Sequence, residues 1–294
     1  AYGASTDSIL YDFSPIAAIS LICNPVSIGI DVKPGSTYAG FTTCTATNPT
    51  QYLEKISIIV TSSGNLATAA PGDIYVGASD SVDFQISVMA TPYMEMQTRT
   101  LSVEATVEEI NGVVPTNLAT SNTNMLVNIL QYDDLSISQE PLTKIFTVTI
   151  DENFSLNQNM SVDIPVINNG NSVDFGKVGI VDNNRKIWEE DNFSFTIPLV
   201  KVLFEPFSEG EFRVILSLSE QTNFDNWEVL DNGTLYFSRD LTVFAESEFG
   251  CNYGDCNRSE LNVTIEIFHL SLLDSDGDGV EDNSDWAPFD SNET

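Results

Sequence analysis

The sequence predicts an all-β protein made of two tandem β-sandwiches, on three observations. Short runs rich in β-branched and aromatic residues recur between Pro, Gly, Asn and Asp, and segments of helical period are scarce. Landmarks of the first half return in the second. A chain of 294 residues is longer than one typical sandwich and suits two domains of roughly 100–150 residues each. Hydrophobic residues make up 42% of the chain and the mean hydropathy is −0.02, enough apolar material to fill two modest cores.

The candidate strands, in order, are Ser27 to Val32, Phe41 to Ala46, Tyr52 to Thr61, Val82 to Met89, Thr100 to Val107 and Asn124 to Leu130. Then come Ile145 to Ile150, Met160 to Ile167, Lys177 to Val181, Phe212 to Leu218, Thr234 to Phe237, Leu241 to Ala245 and Leu261 to Leu270. Laid over each other, the halves match. Ile30-Asp31 corresponds to Ile150-Asp151 and Asn48-Pro49 to Asn168-Asn169, each pair 120 residues apart. Further on, Ser81 to Phe84 corresponds to Gly210 to Phe212, Leu101 to Ala105 to Leu241 to Ala245, and Met125 to Leu130 to Val263 to Phe268. The growing offset means longer loops in the second copy. The reading divides the chain into an N-terminal strand or extension (1–20), a first sandwich (21–136), a second sandwich (137–271), and a C-terminal loop and tail (272–294). Residues 1–20 either supply the first edge strand of their own domain or leave it to complete a neighbour's sheet by strand exchange.

An acidic strand leading into Asn48-Pro49-Thr50 in one half and Asn168-Asn169-Gly170-Asn171 in the other resembles the immunoglobulin-like modules strung along archaeal and bacterial surface proteins. The resemblance implies two tandem immunoglobulin-like sandwiches, although neither half has the Cys, Trp, Cys core of antibody domains.

The chain carries 43 Asp and Glu against 11 Lys and Arg, a formal net charge of −32 and a pI near 4.1. Nucleic acid and anionic membrane surfaces are repelled by such a chain, so neither is an expected partner. No stretch of about 20 apolar residues is present to insert into a bilayer. The opening Ala1-Tyr2-Gly3-Ala4-Ser5 reads as a chain after removal of a signal peptide, and the expected place is extracellular, at the cell surface. Cys251 and Cys256 flank a short Asn-Tyr-Gly-Asp loop that a disulfide would staple, which leaves Cys23 to pair with Cys44 across strands. Zinc is the competing use of these thiols, but a second close Cys or His pair is lacking and His269 is the only histidine. Glycosylation sequons begin at Asn153, Asn159, Asn192, Asn232, Asn257, Asn262 and Asn292, all beyond residue 150. Glycans are therefore expected on the second half, and the bare first half is the expected partner surface.

The segment from Asp274 to Asp285 fits D-x-D-x-D-G-x-x-D-x-x-D. Calcium needs six to eight hard oxygens, and a tight loop supplies them when carboxylates alternate, a backbone carbonyl follows, and a last acid closes the shell. The expected ligands of Ca2+ are Asp274, Asp276, Asp278, the Val280 carbonyl, Asp282 and Asp285, with Gly279 at the sharp turn. Asp285 in place of a bidentate Glu and a strand-like approach argue against a helix-loop-helix sensor. The loop resembles a thrombospondin type three repeat or a dockerin-type loop, which implies a structural calcium.

Catalytic constellations are missing. His269 sits in an apolar strand, and acid pairs such as Glu108-Glu109 and Glu189-Glu190 are expected to point to opposite faces of their strands. The expectation is a protein that is not an enzyme: a calcium-stabilised subunit of a surface filament or lattice that assembles with identical copies. The alternative is a monomeric adhesin or ligand-binding ectodomain.

Overall fold

A computed structural model of the chain describes residues 15–138, 143–150, 159–181, 187–190, 193–197, 201–218, 227–230, 234–252 and 258–269. Two compact units are present, the first ending at Gln131 and the second beginning at Tyr132. Both are β-sandwiches, so the fold is all-β and immunoglobulin-like.

The strands of unit 1 are β1 (Ser20–Asn24), β2 (Ser27–Ile30), β3 (Ala39–Thr47), β4 (Glu54–Ser62), β5 (Ala67–Ala69), β6 (Asp73–Val76), β7 (Ser81–Met89), β8 (Gln97–Ile110) and β9 (Thr120–Ile129). They form one sheet in the order β1-β3-β7-β5 and a second in the order β2-β9-β8-β4-β6. The chain changes sheets at Asn24-Pro25: β1 pairs antiparallel with β3, and β2 pairs parallel with β9. Period-two alternation builds the core. Cys44 and Ala46 of β3 and Phe84, Ile86 and Val88 of β7 face Ile56 and Ile58 of β4 and Leu101, Val103, Ala105 and Val107 of β8.

Unit 2 contains β10 (Leu135–Ile137), β11 (Thr143–Ile150), β12 (Asn159–Asn168), β13 (Asp174–Ile180), β14 (Ile187–Glu190), β15 (Phe193–Thr196), β16 (Lys201–Phe204), β17 (Ser208–Leu218), β18 (Glu228–Val229), β19 (Leu235–Ser247), α1 (Glu248–Asn252) and β20 (Arg258–His269). Its sheets run β10-β12-β17-β15-β14 and β11-β20-β19-β13-β16, with β18 on β19. This repeats the wiring of unit 1 with β14 and β18 added, down to the parallel pair, now β11 with β20. The cross-strand partners repeat as well: Cys44 lies opposite Phe84 and Ile164 opposite Phe212, while Leu101 lies opposite Met125 and Leu241 opposite Val263.

Several expectations change. Residues 132–136, read from the sequence as the end of the first sandwich, belong to unit 2, because β10 pairs with β12. The expected strands Thr234 to Phe237 and Leu241 to Ala245 fall on one strand, β19 from Leu235, since the ladder from β19 to β20 continues through Ser238, Arg239 and Asp240. The acids Glu108 and Glu109 do not simply alternate. A register shift at Lys55/Ile56 puts an extra residue in β8, so that Val107 and Ile110 are both buried with the two acids between them.

Candidate functional site

The expected calcium ligands Asp274, Asp276, Asp278, Val280, Asp282 and Asp285 lie outside the described residues, as do residues 1–14 and the sequon asparagines Asn153, Asn192, Asn232, Asn257 and Asn292. Asn159 begins β12. Asn262 is exposed on β20, where its Oδ1 accepts the Thr242 hydroxyl at 2.9 Å. The third residue of that sequon, Thr264, donates to Asp240 at 2.7 Å.

Cys23 and Cys44 are directly opposite on β1 and β3 and are joined by a disulfide. Cys251 is disulfide-bonded too; its expected partner, Cys256, lies outside the described residues. Cys251 sits on α1, in the connection between β19 and β20. Arg258 closes the base of that connection: its Nε and Nη2 donate to Glu246 Oε2 at 3.0 and 2.9 Å, and its guanidinium stacks 4.0 Å from the Phe244 ring centre.

His269 ends β20, and burial pushes its imidazole below the ordinary value. No group of three or more His, Cys, Asp or Glu able to hold a metal occurs among the described residues. Glu108 and Asp73 both bind the Lys55 ammonium, at 2.9 and 3.3 Å, and hold it above its usual value. Glu108 is thereby engaged with Lys55 at the surface. The side chains of Glu189 and Glu190, on β14, lie outside the described residues.

Each unit buries an asparagine and an acid at equivalent positions that sequence reasoning did not single out as such; unit 2 also buries Asn171 and Glu246. Asn48 and Asn168 are both 0% exposed; Asn48 directly follows β3 and Asn168 ends β12. Asn48 Nδ2 reaches the carbonyls of Tyr52, Val76 and Gly77 at 2.7, 3.2 and 3.0 Å, and its Oδ1 accepts the Thr50 amide at 2.8 Å. Asn168 Nδ2 reaches Ser172, Phe204 and Glu205 at 3.0, 3.2 and 3.1 Å, and its Oδ1 accepts the Gly170 amide at 2.9 Å. One side chain thus satisfies the backbone of a turn and of the neighbouring strand end, where no ladder does so. Six residues later in each copy stands an acid, Glu54 or Asp174, and both are buried. Glu54 Oε1 accepts the Ala18 amide and the Thr50 hydroxyl, both at 3.3 Å, which ties down the segment before β1; its Oε2 has no partner. Burial raises the Glu54 carboxyl above the usual range, opposed by those two hydrogen bonds. Asp174 Oδ1 accepts the Phe249 amide of α1 at 3.4 Å, and its Oδ2 is unpartnered. The signal for both acids was in the sequence: a fixed step from a repeated asparagine.

The outer face of the β1-β3-β7-β5 sheet carries Ile22, Phe41 and Met89, 68%, 52% and 51% exposed. Phe41 and Met89 are diagonal neighbours, because Phe41 lies opposite Ser87 and Ala39 opposite Met89. The adjoining edge strand, β5, has only three residues.

No protein-family model and no curated protein matches the chain. Among solved structures it is similar to mouse cadherin-23 EC22-24, at 11% identity over 86% of this chain and 67% of that one, with a TM-score of 0.45. It is also similar to protocadherin gamma B2 extracellular cadherin domains 3-6, at 10% identity over 87% of this chain and 52% of that one, TM-score 0.45. The CupB2 chaperone of Pseudomonas aeruginosa is 11% identical over 82% of this chain and 100% of its own, TM-score 0.27.

Proposed function

We propose that this chain is a non-enzymatic structural subunit of an extracellular surface assembly, joining identical copies through unit 1 and stabilised by calcium at Asp274 to Asp285. The observation that carries the reading is the outer face of Ile22, Phe41 and Met89 in a chain of net charge −32 whose sequons all lie beyond residue 150. Exposed apolar side chains on a sheet beside a three-residue edge strand form a surface that water disfavours and that no sequon covers. The Cys23–Cys44 bridge fits an oxidising compartment. In the described residues no helix is long and apolar enough to cross a membrane. Glycans belong on the second half, Asn262 being an exposed acceptor.

The alternating aspartates of the C-terminal loop suit a calcium ion by donor chemistry, and an ion bound there would neutralise their mutual repulsion. Residues 1–16 add a second contact in this reading, a strand exchanged with a neighbouring copy.

The test replaces Phe41 and Met89 by Lys, both on the exposed face. Light scattering in calcium should show assemblies for the wild-type chain and monomers for the double variant, with matching melting temperatures. Equal assembly of the two would overturn the contact surface. Deleting residues 1–16 should likewise give folded monomers; unfolding would show that the segment is a strand of its own domain. The monomeric ligand-binding alternative is favoured by one observation, the cavity beside Arg99.

A further inference from the structure

The inner positions of β8 are buried from Leu101 to Val107, and the same parity continues outward to Arg99 and Gln97, where the sandwich opens. At that end a cavity of about 460 Å³, open to solvent, is lined by Gly64, Asn65, Thr91, Tyr93, Gln97 and Arg99, with Met94 and Glu95 on its walls. Its parts come from the turn after β4 and the loop between β7 and β8.

Arg99 differs from four other cations of the described residues. With 11 cationic side chains against 43 acids, partners abound, and Lys55, Lys201, Arg213 and Arg258 each hold a carboxylate. Among the described residues the Arg99 side chain makes no hydrogen bond or ion pair. Its guanidinium lies over Gly64, where an added Cβ would come within 3.0 Å of Nε, and Gly64 has φ at +81°. Only glycine fits that backbone and leaves room for the side chain. Beside it Tyr93 follows Pro92 with φ at 64°, a left-handed conformation that a bulky residue adopts at a cost. That turn leaves Tyr93 72% exposed at the cavity.

A fork of guanidinium donors fits a carboxylate by two parallel hydrogen bonds. An exposed aromatic ring offers a flat apolar platform, and Asn65, Gln97 and Thr91 offer amides and a hydroxyl. Glu95 on the wall and the net charge of −32 disfavour a compact dianion such as phosphate or sulfate. The cavity lies in the size range of small-molecule sites.

We infer that this end of unit 1 binds a carboxylate-bearing sugar, a hexuronic acid residue of an acidic glycan, with Arg99 gripping the carboxylate and Tyr93 under the ring. The assignment is independent of self-assembly and gives the chain a ligand in an acidic polysaccharide around it.

The test uses the full chain and titrates D-glucuronate, D-galacturonate, D-glucose and inorganic phosphate, read by saturation-transfer NMR and calorimetry. At least one uronate should bind saturably, at least tenfold tighter than glucose or phosphate. Arg99→Gln should lose at least tenfold in uronate affinity, and Tyr93→Asn, a residue that tolerates the left-handed backbone, should lose several-fold, both at unchanged melting temperature. No saturable uronate binding, glucose or phosphate binding as tightly as uronate, or an unchanged affinity in Arg99→Gln would each overturn the assignment. The wild-type comparison of uronate with glucose decides it even if the arginine variant fails to fold.

Discussion

Opposite Phe84 in unit 1 stands Cys44, bridged to Cys23; opposite Phe212 in unit 2 stands Ile164, which only fills space. Elsewhere the two cores trade volume. Ile56, Val76 and Val82 occupy positions that become Gly176, Phe204 and Gly210, so one phenylalanine fills the room that three branched side chains share in the other copy. The fit is close: a Cβ on Gly176 or Gly210 would come within 2.6 or 2.7 Å of the Phe204 ring. What does not vary is the buried asparagine, with the same three carbonyl contacts and the same amide two residues on. Apolar packing can be met by many combinations of side chains, whereas a particular set of orphaned backbone groups needs a particular donor and acceptor.

The largest effect expected from breaking this comparison is Phe204→Ala, which should destabilise unit 2 by about 3–5 kcal/mol, measured by denaturant unfolding. Gly176→Ala should cost about 1–3 kcal/mol by overpacking, and less in a Phe204→Val background, where only the Leu135 side chain, 2.9 Å away, still crowds the methyl. Strict additivity in that double-mutant cycle would contradict the exchange of volume. Next, Asn48→Leu should destabilise unit 1, and Asn168→Leu unit 2, by roughly 3 kcal/mol each, because several buried backbone groups lose their partner at once. A cost near the ~1 kcal/mol of an average substitution would deny the asparagines their role.

Glu54→Gln is the smallest and the most diagnostic. The folded state holds the Glu54 carboxyl above its ordinary value of 4.5, so the native chain binds more protons than the unfolded one between that value and the raised one. Its contribution is fully present below the unfolded value and is lost as pH rises through the folded one. The variant should therefore be more stable than wild type by roughly 1 kcal/mol at neutral pH and show a flatter melting profile across that window. Superimposable pH profiles would contradict a buried acid that its two hydrogen bonds compensate only in part.

Much of this was legible in the sequence because long strands with one buried face alternate, as Val82 to Met89 and Thr100 to Val107 do. The repeat was legible because both copies keep those strands and Asn48 or Asn168. The short edges were not: β5, β6, β10 and β16 have three or four residues each, too few to show a period. The polar run Ser238-Arg239-Asp240 read as a break, yet β19 continues through it, since backbone pairing with β20 does not depend on what the solvent face carries. Cys251 was expected to flank a short loop, and a single helical turn carries it. Glu54 and Asp174 look like surface acids by type, and their burial is set by the tertiary position of a strand start. Arg99 is one basic residue in a polar stretch, and only its inward parity beyond Leu101 sets it apart.

The most direct test of the proposed surface assembly is electron microscopy of the purified full chain in millimolar calcium and again after chelation. Filaments or sheets should form in calcium and disperse with EDTA, while protease cutting rises near 272–286. Isolated particles under both conditions, with identical digestion, would contradict it.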